Sequence, residues 1–316
     1  MNSLSFGRYA LSIGVVIVLL TGCGRSQPPI GGLGVIPQKT NERPPNRDAT
    51  RSTLLYVSDP GARKVFMYSY PQLQLKGTIT GISTPRGLCV DPATQNVWVV
   101  TSYPQDQIIE FKPGGTHPIR DLKLGGGPYI YGCALSPKTG DLAVTSHNQG
   151  SDPGGLYVFK NARGKPKYYG APGPTMYYPY FVAYDSSGNA FIDGNGGQYT
   201  VQVAELAAGA RKLQIVTPQG LSGDFPGGVQ DNDTNLAIGD EKSAVIYRIA
   251  DGEVKGKTAL EDACHVWQFF IDGDRVIAPN ACKHRGRVSI YNYPAGGAPL
   301  KVLDGFKSPF TVVISR

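Results

Sequence analysis

What most limits the folds open to this chain is a hairpin that repeats from end to end. In PRGLCVDPATQNVWVVT, Pro85 to Thr101, a short apolar strand closes on Asp91, a polar turn follows, and a second apolar strand, NVWVVT, runs back. The unit returns as IYGCALSPKTGDLAVTS from Ile130, PYFVAYDSSGNAFIDG from Pro179, PGGVQDNDTNLAIGD from Pro226 and VWQFFIDGDRVIAPN from Val266. A sixth copy is split: PFTVVIS from Pro309 supplies its first strand and LLYVSD from Leu54 its second. A period of roughly 40 to 50 residues with several strands in each repeat is the signature of a β-propeller.

Each hairpin is followed by a third strand, VFMY, IIEF, LYVF, VAEL, AVIY or VSIY, and then by a more polar fourth, such as QLKGTIT or PIRDLKL. Six sets of four, apolar inside and polar outside, predict an all-β, six-bladed β-propeller with four antiparallel strands per blade over residues 52–316. The split copy predicts that the N- and C-terminal strands close one blade. The 41 Gly and 25 Pro suit many tight turns, and no helical pattern competes.

Residues 1–22 read as a signal peptide: Arg8 is the positive start, and Tyr9 to Leu20 is an apolar run too short for a membrane-spanning helix, which needs roughly 20 residues. Its ending, Leu20-Thr21-Gly22-Cys23, resembles the lipobox of bacterial lipoproteins. That resemblance implies cleavage before Cys23, acylation of Cys23, and a lipid-anchored chain in the bacterial envelope, on the outer membrane if the host is Gram-negative. Residues 23–51, rich in Pro, Gly and charge, read as the acylated cysteine and a flexible tether. The net charge of +7 is carried by scattered Lys and Arg, without a basic run, which argues against a nucleic-acid partner.

Four cysteines remain besides Cys23. Cys264 and Cys282 are equidistant from Gly273, the centre of a hairpin turn, and are expected to face each other on neighbouring strands as a disulfide. Cys89 and Cys133 fall one register step apart on the innermost strands of adjacent blades, and either pair or stay as buried thiols. No CxxC pair invites zinc.

Function in a propeller gathers where the second-to-third loops and the blade-to-blade loops surround the channel. On that rim the spacing places Arg86, Tyr103, Tyr131, His147, Tyr178, Tyr180, Asp193, Asp240, Trp267 and Asn280 as ligand-binding candidates. Aromatic faces stack on sugars and peptides while amides and carboxylates hydrogen-bond. Asp59, Asp193, Asp240 and Asn280 are alternatively oxygen ligands for a divalent metal, Ca or Zn. Asp91, Asp185, Asp231 and Asp272 recur in the turn at the opposite face and read as scaffold.

The pattern of PxG at Pro85 to Gly87, apolar strand, Asp, turn and a YVSD- or VVTS-like strand resembles the NHL-repeat and gluconolactonase-like six-bladed propellers, and LYVSDPGARKVFMY resembles the YVTN variety. This resemblance implies the fold. The family's lactonases use a Glu in an EGP-like motif that is absent here; its amidating lyases use several histidines around zinc, whereas this chain has four in all, two of them, His147 and His265, on the expected rim. No GxSxG occurs. We therefore expect a membrane-anchored binding module for a glycan, peptide or envelope protein, with no cofactor. The alternative is a metal-dependent lactonase or hydrolase, and a third reading is a structural component of an envelope assembly.

Overall fold

The computed structural model describes residues 52–102, 106–125, 129–147, 152–197, 200–282 and 285–316. Cys23, the signal peptide, the tether and Tyr103 lie outside the described residues. The described part begins with β1 (Leu54–Asp59), β2 (Lys64–Ser69) and β3 (Leu75–Ile79) of blade 1. Blade 2 holds β4 (Pro85–Val90), β5 (Val97–Thr101), β6 (Gln107–Phe111) and β7 (Pro118–Lys123). Blade 3 holds β8 (Tyr129–Leu135), β9 (Leu142–His147), β10 (Gly155–Phe159) and β11 (Lys167–Gly170). Blade 4 holds β12 (Tyr177–Tyr184), β13 (Ala190–Asn195), β14 (Val201–Leu206) and β15 (Gln214–Ile215). Blade 5 holds β16 (Pro226–Asp231), β17 (Leu236–Asp240), β18 (Val245–Ala250) and β19 (Glu253–Ala259). Blade 6 holds β20 (Phe270–Asp272), β21 (Arg275–Asn280), β22 (Gly286–Asn292) and β23 (Gly296–Phe306).

The last strand, β24 (Thr311–Ser315), returns to pair antiparallel with β1, so that blade 1 has the order β24-β1-β2-β3. Each of the six sheets has four antiparallel strands, as the repeats predict. Among the described residues no α-helix interrupts them.

Alternation along the inner strands builds the core. On β1, Leu55 and Val57 pack toward blade 6, whereas Leu54 and Tyr56 pack toward blade 2. Both faces of a blade are buried, so successive residues are apolar without pause, and period two decides only which neighbour each one meets. The clusters fall at the six blade junctions; that between blades 2 and 3 centres on Trp98, Ile130, Leu142 and Phe159. The fourth strands, by contrast, alternate with solvent: β7 carries Pro118, Ile119, Asp121 and Lys123 exposed.

The six innermost strands stand close together around the axis, and two glycines mark how close. A Cβ on Gly132 would lie 2.7 Å from the Tyr180 carbonyl oxygen of the next blade, and one on Gly87 would run into the Tyr131 carbonyl. Hydrogen bonds cross the same junctions. Ser58 Oγ donates to the Arg86 carbonyl at 2.6 Å, Thr145 Oγ1 to the Tyr180 carbonyl at 2.6 Å, and Gln268 Nε2 to the Val229 carbonyl at 3.0 Å.

Both disulfides form. Cys89 and Cys133 join the innermost strands of blades 2 and 3 across their shared core, with Cα atoms 5.6 Å apart. Cys264 pairs with Cys282, but not across paired strands as the count from Gly273 suggested. Strand β20 starts only at Phe270 and β21 ends at Asn280, so both cysteines sit in loops, brought together where Ala281 N–H donates to the Cys264 carbonyl at 3.1 Å.

Candidate functional site: an aromatic bowl closing the channel

The residue after the first anchor of each repeat occupies the same register position at the rim end of each innermost strand. Those residues are Arg86, Tyr131, Tyr180, Gly227, Trp267 and Phe310. Five of them meet across the axis in a closed circuit. The Arg86 guanidinium lies 4.5 Å from the Tyr131 ring centroid and 5.2 Å from that of Phe310. Tyr131 meets Tyr180 edge-on at 5.2 Å, Tyr180 lies 6.0 Å from Trp267, and Trp267 stacks on Phe310 at 5.0 Å. Gly227 contributes no ring because a Cβ there would strike the backbone of Glu241. Phe225 fills the gap from the preceding loop, 5.3 Å from Tyr180 and 6.0 Å from Trp267.

His147, at the end of β9, stacks on Tyr131 at 3.9 Å and meets Tyr180 edge-on at 4.5 Å. It is 8% exposed, and its Nε2 has no hydrogen-bond partner. Burial, and then the charge of Arg86, lower its pKa to about 3, against backbone hydrogen bonds at Pro179 and Tyr178, so at neutral pH the ring is uncharged. Tyr180 is raised above its ordinary value by burial and by Tyr131; a hydrogen bond from Asn195 opposes this. Asn195, 5% exposed, has an unpartnered carbonyl Oδ1. At the lip, Tyr177 and Tyr178 are 38% and 46% exposed. Tyr178 takes a positive φ of 50°, a costly conformation for a bulky residue, and its ring lies 5.1 Å from that of His147.

Arg86 is the single cation of this circuit. Among the described residues no carboxylate and no hydrogen-bond acceptor engages its guanidinium, and its Nε is buried without a partner.

The carboxylates proposed as metal ligands are engaged otherwise. Asp59 accepts backbone N–H bonds from Ala62 at 2.9 Å, Lys307 at 2.7 Å and Ser308 at 3.0 Å, and so holds the loop that leads into β24. Asp193 is fully buried; it accepts from Phe181 N–H at 2.7 Å and, across the junction to blade 5, from Gly228 N–H at 3.1 Å. Burial nonetheless raises its pKa to about 7. Asp240 accepts from Phe225 N–H at 3.1 Å and from Ser243 Oγ at 2.5 Å, which positions the ring that fills the Gly227 gap. Asn280 donates to Ser289 Oγ at 3.2 Å. Each is engaged by groups of a neighbouring strand or loop, and no group of three His, Cys, Asp or Glu comes together among the described residues. The donor set does not fit a metal.

Of the rim candidates, then, Arg86, Tyr131, His147, Tyr178, Tyr180 and Trp267 converge, while Asp193, Asp240 and Asn280 support the frame. Phe310 and Phe225 complete the bowl and were not singled out from the sequence. Comparing the second residue of every repeat would have found Phe310; nothing local marks Phe225. A further pair on the rim, Glu241 and His265, shares a hydrogen bond of 2.6 Å, and burial raises the Glu241 carboxyl.

Below the bowl the channel narrows at Gly87, Gly132, Phe181, Gln268 and Thr311. It then opens toward the opposite face as a cavity of about 340 Å³ lined by all six innermost strands. Leu88, Val229, Phe269 and Val312 make its wall, and Asp231, Asp233 and Arg316 stand at its mouth. Three of the four aspartates expected there as turn scaffold behave so: Asp91 accepts from Ala93 N–H at 2.9 Å, Asp185 from Asn189 N–H at 2.8 Å and Asp231 from Asp233 N–H at 3.3 Å, whereas the Asp272 carboxylate pairs with Arg316.

No protein-family model matches the chain, and no curated protein matches it in sequence. Solved structures do match in shape. A chain of the nidogen/laminin complex superposes with a TM-score of 0.67 at 13% identity, covering 84% of this chain and 98% of that one. A protein of unknown function from Bacteroides caccae gives 0.64 at 12% identity, with 84% and 99% covered. Hydrazine synthase of Kuenenia stuttgartiensis gives 0.52 at 14% identity over 76% and 73%. At these identities the likeness is one of fold, and the fold it shows is the six-bladed β-propeller.

Proposed function

We propose that this protein is a binding module that engages a glycan, peptide or protein through the aromatic bowl, and that acylation of Cys23 holds it on a membrane of the bacterial envelope by way of the tether. The observation that carries the reading is the closed circuit of Arg86, Tyr131, Tyr180, Trp267 and Phe310 with exposed Tyr177 and Tyr178 at its lip. Rigid aromatic anchors beside an arginine are the residue types on which binding energy concentrates. One structural neighbour is a chain of a protein complex, which agrees with a macromolecular partner. Membership of the NHL-repeat or gluconolactonase-like propellers belongs to the same proposal and rests on the repeat pattern.

The lactonase alternative gains nothing from the geometry, because the carboxylates it would recruit are satisfied by backbone N–H groups. A structural role in an envelope assembly would use the same rim and gives the same first result.

The test has two parts. Labelled palmitate should enter the wild-type chain and not Cys23→Ala, which should leave the membrane fraction. Oxidative footprinting of the full chain in envelope extract should protect Tyr177 and Tyr178, and Trp267→Ala should abolish the protection. Unchanged labelling in the two tyrosines with and without extract would overturn the binding role of the rim.

A further inference from the structure

The bowl has a charge imbalance that narrows what it takes. Arg86 brings one positive charge to a site walled by Tyr131, Phe310, Trp267 and Tyr178, and the guanidinium stacks on two rings without meeting a counter-ion among the described residues. Partly buried arginines are ordinarily paired, because an unpaired charge loses hydration without recovering it. Two further groups beside it are short of partners, His147 Nε2 and Asn195 Oδ1, on side chains more than nine-tenths buried.

We propose that the bowl binds a single carboxylate carried on a flat apolar body, with the carboxylate on the Arg86 guanidinium and the body against Trp267, Tyr131 and the Tyr178 ring. This rests on the binding-module reading and specifies its ligand. Three features of the site select this chemistry. A guanidinium matches a carboxylate through two parallel N–H···O bonds, so both oxygens are held at once. Among the described residues the site supplies one cation, since His147 is neutral, so a monoanion is balanced while a phosphate dianion is left with excess charge. The remaining wall is almost wholly aromatic, which rewards a planar ring and offers few partners for the many hydroxyls of a sugar acid. Asn195 and His147 can then each take one polar group of the ligand, a hydroxyl or an N–H, which satisfies the two unpartnered atoms.

The experiment uses the full chain in detergent with 3-phenylpropanoate, its neutral amide 3-phenylpropanamide, glucuronate and inorganic phosphate as probes. Trp98 is fully buried in the junction of blades 2 and 3, so changes in tryptophan fluorescence on titration report Trp267. We expect 3-phenylpropanoate to bind at least ~10-fold tighter than the amide, the factor that a charge-assisted pair supplies. Glucuronate and phosphate should be weaker than 3-phenylpropanoate. Arg86→Met, which keeps the stem over Tyr131, should bring acid and amide to equal affinity, and Arg86→Lys should retain part of the preference. Urea midpoints of both variants within the wild-type range show that the bowl is still formed; should Arg86→Met fall outside it, Arg86→Lys against wild type carries the comparison.

No binding of the acid up to about 20 mM, weaker than any useful site, or equal binding of acid and amide by the wild type, overturns the carboxylate proposal. So does phosphate binding tighter than the acid. If Tyr177 and Tyr178 are still protected in envelope extract, the rim remains a binding surface for other chemistry; if protection is lost but the acid binds through Arg86, the carboxylate site stands and the macromolecular partner falls.

Discussion

Two buried groups in neighbouring blades make opposite contributions to the pH dependence of stability, and separating them tests the bowl's electrostatics. His147 ionises in the folded chain only near pH 3, against an ordinary 6.5. As pH falls, the unfolded chain takes up the proton first, so the stability due to His147 is complete above 6.5 and is lost toward pH 3. Asp193 is raised from 3.8 to about 7. Its folded form keeps a proton that the unfolded chain gives up, so its contribution is complete below 3.8 and is lost as pH rises through 7. Each effect amounts to about 1.4 kcal/mol per pH unit inside its window. Between pH 4.5 and 6.5 the windows overlap and the two slopes cancel, which leaves a flat profile from this pair. Urea unfolding at half-unit steps should show His147→Gln most destabilised relative to wild type at pH 6.5, with the deficit shrinking by ~3 kcal/mol at pH 4.5. Asp193→Asn should run the other way, with its largest deficit at pH 4.5 and one smaller by ~3 kcal/mol at pH 6.5. Parallel profiles for all three proteins would refute the account.

Other perturbations follow from the packing. Deleting the last eight residues removes Phe310, Val312, Val313 and Ile314, all buried; at ~1.5–3 kcal/mol each the loss matches the whole stability of an ordinary domain, so calorimetry should find no cooperative unfolding. Replacing Cys89 and Cys133 by Ala should cost about 4 kcal/mol and Cys264 with Cys282 about 3, since the bridges span 44 and 18 residues; urea midpoints of the double variants test that order. Gly87→Ala should destabilise by ~2 kcal/mol or more, because the new methyl meets the Tyr131 carbonyl of the next blade; an unchanged melting temperature would show that the strands can separate at no cost.

The fold was legible because a propeller writes its period into the sequence, and the apolar anchors at Pro85, Pro179, Pro226 and Pro309 each became an innermost strand or its lead-in. The bowl was legible in part. Arg86, Tyr131, Tyr180 and Trp267 were placed on the rim by loop position, whereas their equivalence lies in register, and it is register that adds Phe310. Asp59 and Asp240 stood open between metal ligation and the support of a turn: at the ends of second strands the adjoining loops present backbone N–H groups that need acceptors, and both carboxylates take such bonds. Sequence does not reveal that competition, since a carboxylate near a turn looks the same whether it holds the loop or a ligand. The Cys264–Cys282 pair was right for a reason that failed, because symmetry about Gly273 holds for strands longer than β20 and β21.

Closure by β24 also has a consequence for how the chain is made. Blade 1 is the first blade synthesised, yet until residues 311–315 emerge it is a three-stranded sheet whose β1 edge, with buried Leu55 and Val57, has no partner. The ring therefore cannot close before β24 is made, and the nascent chain carries an open, aggregation-prone strand edge through the synthesis of the other five blades. Until β24 arrives, that edge is a template for pairing with another chain.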